Sequence, residues 1–142
     1  MRLGGIDIPS DVHCAGHSDG DAVCHAITDA LLGATALGDI GEMFPDTDAA
    51  NRGRDSLFML AAAVARVHMA GWTIGNVDVT VITQLPKIGA HRVAMRATLS
   101  TVLGVTEDDV FVKGKTNEGR GWIGRGEGLA VIAVANIVRA AR

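Results

Sequence analysis

The chain has 142 residues, 48% of them hydrophobic and 20% charged, with a net charge of -3. That suits one domain spanning 1–142 and excludes both a disordered chain and a broad basic surface for nucleic acid. Its two cysteines exclude a disulfide framework and imply a reduced, cytoplasmic setting, and no apolar run is long enough for a membrane span. The longest apolar run, Met59 to Ala65, ends at Arg66, and the first residues lack the apolar core of a signal peptide.

Arg2 to Ile8 reads as a short strand broken by Gly4-Gly5 and closed by Pro9. A loop follows from Ser10 to Gly20. Apolar residues at Val23, Ala26, Ile27, Ala30, Leu31 and Ala34 predict a helix over 21–37, capped by Ser18 or Asp19 and stopped by Gly38. Residues 38–54 read as a polar loop. A second helix is predicted over 55–70 with Leu57, Leu60, Ala61, Val64 and Val67 on its inner face. The β-branched run over 77–85 predicts a strand, and Pro86 opens a third helix reaching Leu103. Val110 to Lys115 predicts another strand, followed by a glycine-rich loop over 117–128. Residues 129–138 alternate, and the expectation is a strand beside Val110 to Lys115. Together these predict an α/β (α+β) sandwich, one mixed sheet with helices on one face.

Several segments could carry chemistry. Asp21, His25 and Asp29 fall at i, i+4 and i+8 on one helix row. A histidine there can ligate a metal while a carboxylate holds its other nitrogen; the alternative is a solvent-facing stripe. His17 and Ser18 precede a helix N-terminus, which suits a phosphate or an ordinary cap. The loop from Asp39 to Asp48 concentrates carboxylates, which bind cations or sugar hydroxyls, or make a plain turn. Between Lys115 and Gly128, Glu118 could hold Mg²⁺ or Mn²⁺ and Thr116 and Arg125 could hold phosphate oxygens, with a mobile loop as the alternative. The run from Gln84 to Gly89 ends a strand, where ligands collect in α/β folds. Cys24 reads as core, and His68 and His91 as surface or interface residues.

In order, the motifs are His17-Ser18-Asp19-Gly20-Asp21, His25-Ala26-Ile27-Thr28-Asp29, Leu37-Gly38-Asp39-Ile40-Gly41, and Phe44-Pro45-Asp46-Thr47-Asp48. They continue with Gly75-Asn76-Val77-Asp78-Val79-Thr80, Pro86-Lys87, and Gly124-Arg125-Gly126-Glu127-Gly128. The ordered set resembles the 2-C-methyl-D-erythritol 2,4-cyclodiphosphate synthase family over nearly the whole chain. The resemblance implies a homotrimer with sites between subunits. It implies cyclisation of 4-diphosphocytidyl-2-C-methyl-D-erythritol 2-phosphate with release of CMP, aided by Zn²⁺ or a similar metal and by Mg²⁺ or Mn²⁺. By the same resemblance, His25 is a zinc ligand and Glu118 holds the second metal. His17, Glu118 and Lys87 become the catalytic set. Substrate falls to His17 and Ser18, to Asp39, Ile40, Gly41, Phe44, Asp46 and Asp48, and to Thr83, Gln84, Leu85, Pro86, Lys87, Ile88 and Gly89. Lys115, Thr116, Asn117, Glu118, Trp122 and Arg125 complete the set.

The resemblance also implies departures. The family carries two more zinc ligands as an Asp-x-His pair on a first strand that precedes the register of Met1. Asp11-Val12-His13 spells that pattern in a loop where the family has no ligands. Lys115 and Asn117 stand where threonines are usual, and Trp122 where phenylalanine is usual. As written, the chain is expected to bind zinc poorly and to leave one sheet strand without a neighbour. The alternative function is a shortened or non-catalytic trimeric nucleotide-binding homologue.

Overall fold

A computed structural model describes residues 1–12, 14 and 18–140. The chain opens as a small antiparallel hairpin, β1 (Arg2–Leu3) and β2 (Ile6–Asp7), rather than the single strand expected. Gly4 and Gly5 both take positive φ, 62° and 77°, which reverses the chain in two residues. Neither tolerates a side chain: a Cβ on Gly5 would stand 2.7 Å from Leu57 Cδ2 and Thr98 Cγ2.

Helix α1 (Ala22–Ala34) starts one residue later and ends three earlier than expected. Its cap is Asp21, correcting the assignment to Ser18 or Asp19: the Asp21 carboxylate accepts from the backbone N–H of Val23 and Cys24, both at 3.0 Å. The helix stops before Gly38 because Ala36 turns left-handed at φ 55° and Leu37 N–H bonds back to the Leu32 carbonyl at 2.9 Å. Residues 38–54 are not an unbroken loop. They hold α2 (Ile40–Met43), capped by Asp39, and a 3₁₀ turn over Ala49–Asn51, capped by Asp48.

Helix α3 (Ser56–Met69) is capped by Asp55 and buries Met59, Leu60, Ala63, Val64 and Val67. Leu60, Val64 and Val67 face inward as expected and Leu57 packs half-buried against the core, whereas Ala61 is exposed. Strand β3 (Trp72–Ile82) begins five residues earlier than expected, because the residues ahead of Val77 find partners in β5 (Ala130–Arg139). Residues 83–85 leave the ladder. Lys87 is extended, so the chain passes through a 3₁₀ turn at Ile88–His91 before α4 (Arg92–Leu103), rather than entering a helix at Pro86. Strand β4 (Val110–Lys115) has its expected bounds, and the glycine-rich loop contains one short helix, α5 (Gly121–Gly124).

The sheet order is β4-β3-β5, with β4 parallel and β5 antiparallel to the central strand. The last strand thus pairs with β3, not with β4 as expected. Alternation identifies a strand but carries no information about its neighbour. Val77, Val79 and Val81 of β3 and Val110 and Val112 of β4 point into a core closed by α1, α3 and α4. The opposite face carries Thr80 and Ile82 with Ile132, Val134 and Val138, the ion pair of Lys113 with Asp78, and Phe111, over whose ring Arg92 and Arg96 of α4 stack. Cys24 is core, as expected, and His68 is exposed. Among the described residues no helix is long and apolar enough to cross a membrane.

Candidate active site

Two adjoining cavities lie at the carboxyl end of β3. The larger, about 830 Å³, is walled by His25 of α1, by Thr83 to Leu85, and by the glycine-rich segment from Gly124 to Leu129. The smaller, about 210 Å³, runs from Thr83 over the 83–89 segment to Gly114, Lys115 and Thr116. Thr83 lines both. Its amide bonds the Lys115 carbonyl at 2.9 Å and its hydroxyl donates to the Leu85 carbonyl at 2.6 Å, which fixes the shared wall.

The smaller cavity is basic. Lys87, Arg92 and Lys115 all line it, with the Thr116 hydroxyl beside them. The Arg92 Nε donates to the Val112 carbonyl at 2.7 Å, so its guanidinium is held in place rather than swinging free. A Cβ on Gly114 would stand 2.9 Å from Ile88 Cβ; glycine there lets the 3₁₀ turn close over β4. Three cations beside a hydroxyl, one of them held in place, suit a phosphorylated ligand.

His25 is half-buried and held at one nitrogen. Its Nε2 lies 3.0 Å from Ser18 Oγ and 2.9 Å from Ser56 Oγ. The Ser56 hydroxyl donates to Asp19 Oδ1, and the Ser56 amide to Asp19 Oδ2 at 3.1 Å. The row of Asp21, His25 and Asp29 is thus neither one metal cluster nor a solvent stripe. Asp21 is fully buried, His25 faces the cavity, and exposed Asp29 accepts from the Ile40 amide at 2.8 Å, tying α2 to α1.

Burial alone would raise the Asp19 carboxyl, but the hydrogen bonds from Ser56 and the Asp21 amide, with the Arg2 guanidinium 3.5 Å away, hold it below the usual range. A lowered carboxyl favours the folded state above its unfolded pKa and loses that contribution as pH falls through its folded value. Between pH 7 and about pH 3, Asp19→Asn should therefore lose less stability than the parent chain, measured by urea denaturation at each pH. Burial pushes the Cys24 and Cys14 thiols up, so neither is an activated nucleophile.

Of the residues singled out from the sequence, His25, Gln84, Leu85 and Arg125 meet at the larger cavity, and Pro86, Lys87, Ile88, Gly89, Lys115 and Thr116 at the smaller. Arg125 donates from Nε to Glu127 Oε1 at 2.5 Å. Glu118 lines neither cavity; it stands beside Thr116, whose hydroxyl donates to Glu118 Oε1 at 2.7 Å. Asn117 and Trp122 also line neither. Asp39, Ile40, Gly41, Phe44, Asp46 and Asp48 sit apart on the α2 segment, where Asp39 and Asp48 cap short helices and Phe44 is buried near the Arg54 guanidinium. His17 and His13 lie outside the described residues. Sequence reasoning missed Ser56, whose only signal was its place behind Asp55 at a helix start.

Among the described residues, no three His, Cys, Asp or Glu side chains stand together as a metal site. His25 alone does not meet the three protein ligands that zinc takes in catalytic sites. Glu118 fits a different case, because Mg²⁺ is commonly held by one carboxylate together with substrate phosphates.

The YgbB family model matches residues 1–138. The chain belongs to the YgbB family. It is 77% identical over 97% of its length to the 2-C-methyl-D-erythritol 2,4-cyclodiphosphate synthase of Gemmatimonas aurantiaca, covering 83% of that protein. The synthase of the same name from Bordetella petrii is 52% identical over 99% of the chain, which covers 86% of that protein. Among solved structures, the CDP complex of IspF from Plasmodium falciparum superimposes with a TM-score of 0.87 at 37% identity, over 98% of this chain and 83% of that one. YgbB membership agrees with the mixed sheet and one-sided helical layer expected from the sequence.

Proposed function

We infer that this chain is a 2-C-methyl-D-erythritol 2,4-cyclodiphosphate synthase, cyclising 4-diphosphocytidyl-2-C-methyl-D-erythritol 2-phosphate and releasing CMP. The observation that carries the mechanism is the basic cavity at the end of β3, which adjoins, across Thr83, the space in front of His25. An oxygen of the 2-phosphate attacks the β-phosphorus of the diphosphate, and the bond to the CMP oxygen breaks. Such a reaction needs alignment and charge neutralisation more than covalent help from the protein. Lys87, Arg92 and Lys115 supply positive charge for the phosphates, that of Arg92 held in place by the Val112 carbonyl, and the 83–89 segment supplies backbone groups for the cytosine. Ser18 offers a hydroxyl to the phosphate of the methylerythritol end. Glu118 would hold Mg²⁺ or Mn²⁺, whose contribution is charge neutralisation at the diphosphate. No step is assigned to zinc.

The active unit in this reading is a homotrimer. The outer sheet face, with Ile132, Val134 and Val138 between 51% and 63% exposed, is the apolar surface that subunits would share. It also explains how the α2 segment could serve a neighbour's cavity while lining neither of its own. Sedimentation should give three times the protomer mass, and Val134→Lys should shift it toward the monomer.

The direct test is incubation of the chain with the cytidyl substrate and Mg²⁺, with and without added Zn²⁺, following CMP by phosphorus NMR. CMP release with formation of the cyclic diphosphate is expected. The second reading, a nucleotide-binding homologue without turnover, is favoured by His25 standing without two companion ligands among the described residues. CMP binding by calorimetry with no release from substrate would establish it instead.

A further inference from the structure

We propose that Ser56, oriented by Asp19, is a positioning residue that fixes the proton of the His25 imidazole on Nε2 and leaves Nδ1 as the bare nitrogen of the site. Asp19 is an acceptor on both oxygens: Oδ1 takes the Asp21 amide at 3.1 Å and the Ser56 hydroxyl, and Oδ2 takes the Ser56 amide at 3.1 Å. Ser56 has one hydroxyl hydrogen, and Asp19 holds it. What Ser56 Oγ offers His25 at 2.9 Å is therefore a lone pair, so Nε2 must be the donor. Ser18 Oγ, 3.0 Å from the same nitrogen, shares that hydrogen and also accepts from the Gly20 amide at 3.3 Å. Ser18 thus keeps its own hydrogen to donate. One relay sets two groups: an unprotonated Nδ1 that can accept a hydrogen, and a serine hydroxyl primed as a donor to an anion. Fully buried Ser56 and half-buried His25 make the arrangement stiff, and Arg2, 3.5 Å from Asp19 Oδ2, steadies its far end. The relay deepens the proposed function and rests on His25 belonging to that site.

The test uses the protein labelled with ¹⁵N at histidine, in buffer alkaline enough to keep the imidazoles neutral, with His25 assigned by its loss in His25→Asn. The parent chain should show His25 protonated at Nε2, with that hydrogen slow to exchange. Ser56→Ala should speed its exchange about tenfold or more, the loss of one buried hydrogen bond, and Ser56→Thr should restore it. Asp19→Ala frees the Ser56 hydroxyl to donate, so His25 should move toward protonation at Nδ1. Thermal melts of each variant separate these effects from unfolding. A parent chain protonated at Nδ1, or a folded Ser56→Ala with an unchanged Nε2 hydrogen, overturns the proposal. The readout needs no substrate, so failure to release CMP would refute the synthase reading and leave this one standing.

Discussion

Asp21→Ala should lower the melting temperature by about 10 °C or more while Asp21→Asn costs a fraction of that. The Asp21 side chain is fully buried and its two oxygens accept four backbone N–H groups. Oδ1 takes Val23 and Cys24, capping α1, and also Gly4 at 2.9 Å; Oδ2 takes Gly5 at 2.6 Å. One carboxylate therefore ends a helix and pins the hairpin turn onto it. Removing a helix cap costs about 1 kcal/mol, and each buried amide left without a partner costs about 1–3 kcal/mol more. The sum is on the order of 3–5 kcal/mol, a large part of the stability of a domain this size. Each kcal/mol is worth about 3 °C for a chain of this length. Asparagine keeps an oxygen where three of the four donors converge and loses the bond to Gly5, so its loss should stay near 1–2 kcal/mol. Differential scanning calorimetry decides the matter. An alanine variant melting with the parent would show that the hairpin and helix do not depend on this residue.

That residue also marks how far the sequence could be read. The spacing of Val23, Ile27 and Leu31 displays α1, and all three are buried. Asp21 looked like one member of a polar row with His25 and Asp29, because i, i+4, i+8 spacing says which residues share a line and nothing about what lies opposite. What lies opposite Asp21 is a turn sixteen and seventeen residues earlier in the chain. The same gap hid Ser56, which reaches Asp19 across 37 residues. Strand β5 was visible through its alternation, yet its partner was misjudged, since pairing is decided by the fold of everything between. The segments from Thr83 to Gly89 and from Lys115 to Thr116 were singled out because the motifs keep their order, and the fold brings residues of both to one cavity. The α2 segment was legible as a motif only; Asp39 and Asp48 cap short helices, and the segment lines neither cavity.

Glu118 carries the sharpest conflict between backbone and chemistry. Its φ is 52°, in the left-handed region that side chains avoid, and it is exposed, so no core packing holds it there. A residue in that region costs roughly 1 kcal/mol, and glycine at the same place would avoid the cost. The neighbouring Gly119, at φ 75°, shows the turn that glycine can make freely. A strained, exposed acid whose carboxylate is oriented by the Thr116 hydroxyl is accounted for by what the carboxylate does in the proposed cyclisation. Glu118→Gln should leave the melting temperature within about 2 °C of the parent, because one exposed hydrogen bond is at stake. It should lower CMP release on the order of a hundredfold and raise the Mg²⁺ concentration needed for half-maximal rate, since a neutral amide is a poor ligand for a hard cation. Glu118→Gly should abolish release without destabilising the fold, the relief of strain offsetting the added freedom of the unfolded chain. Turnover surviving in Glu118→Gln would remove the acid from the reaction. A glycine variant that melts many degrees lower would make its role structural, and the left-handed turn would then need another cause.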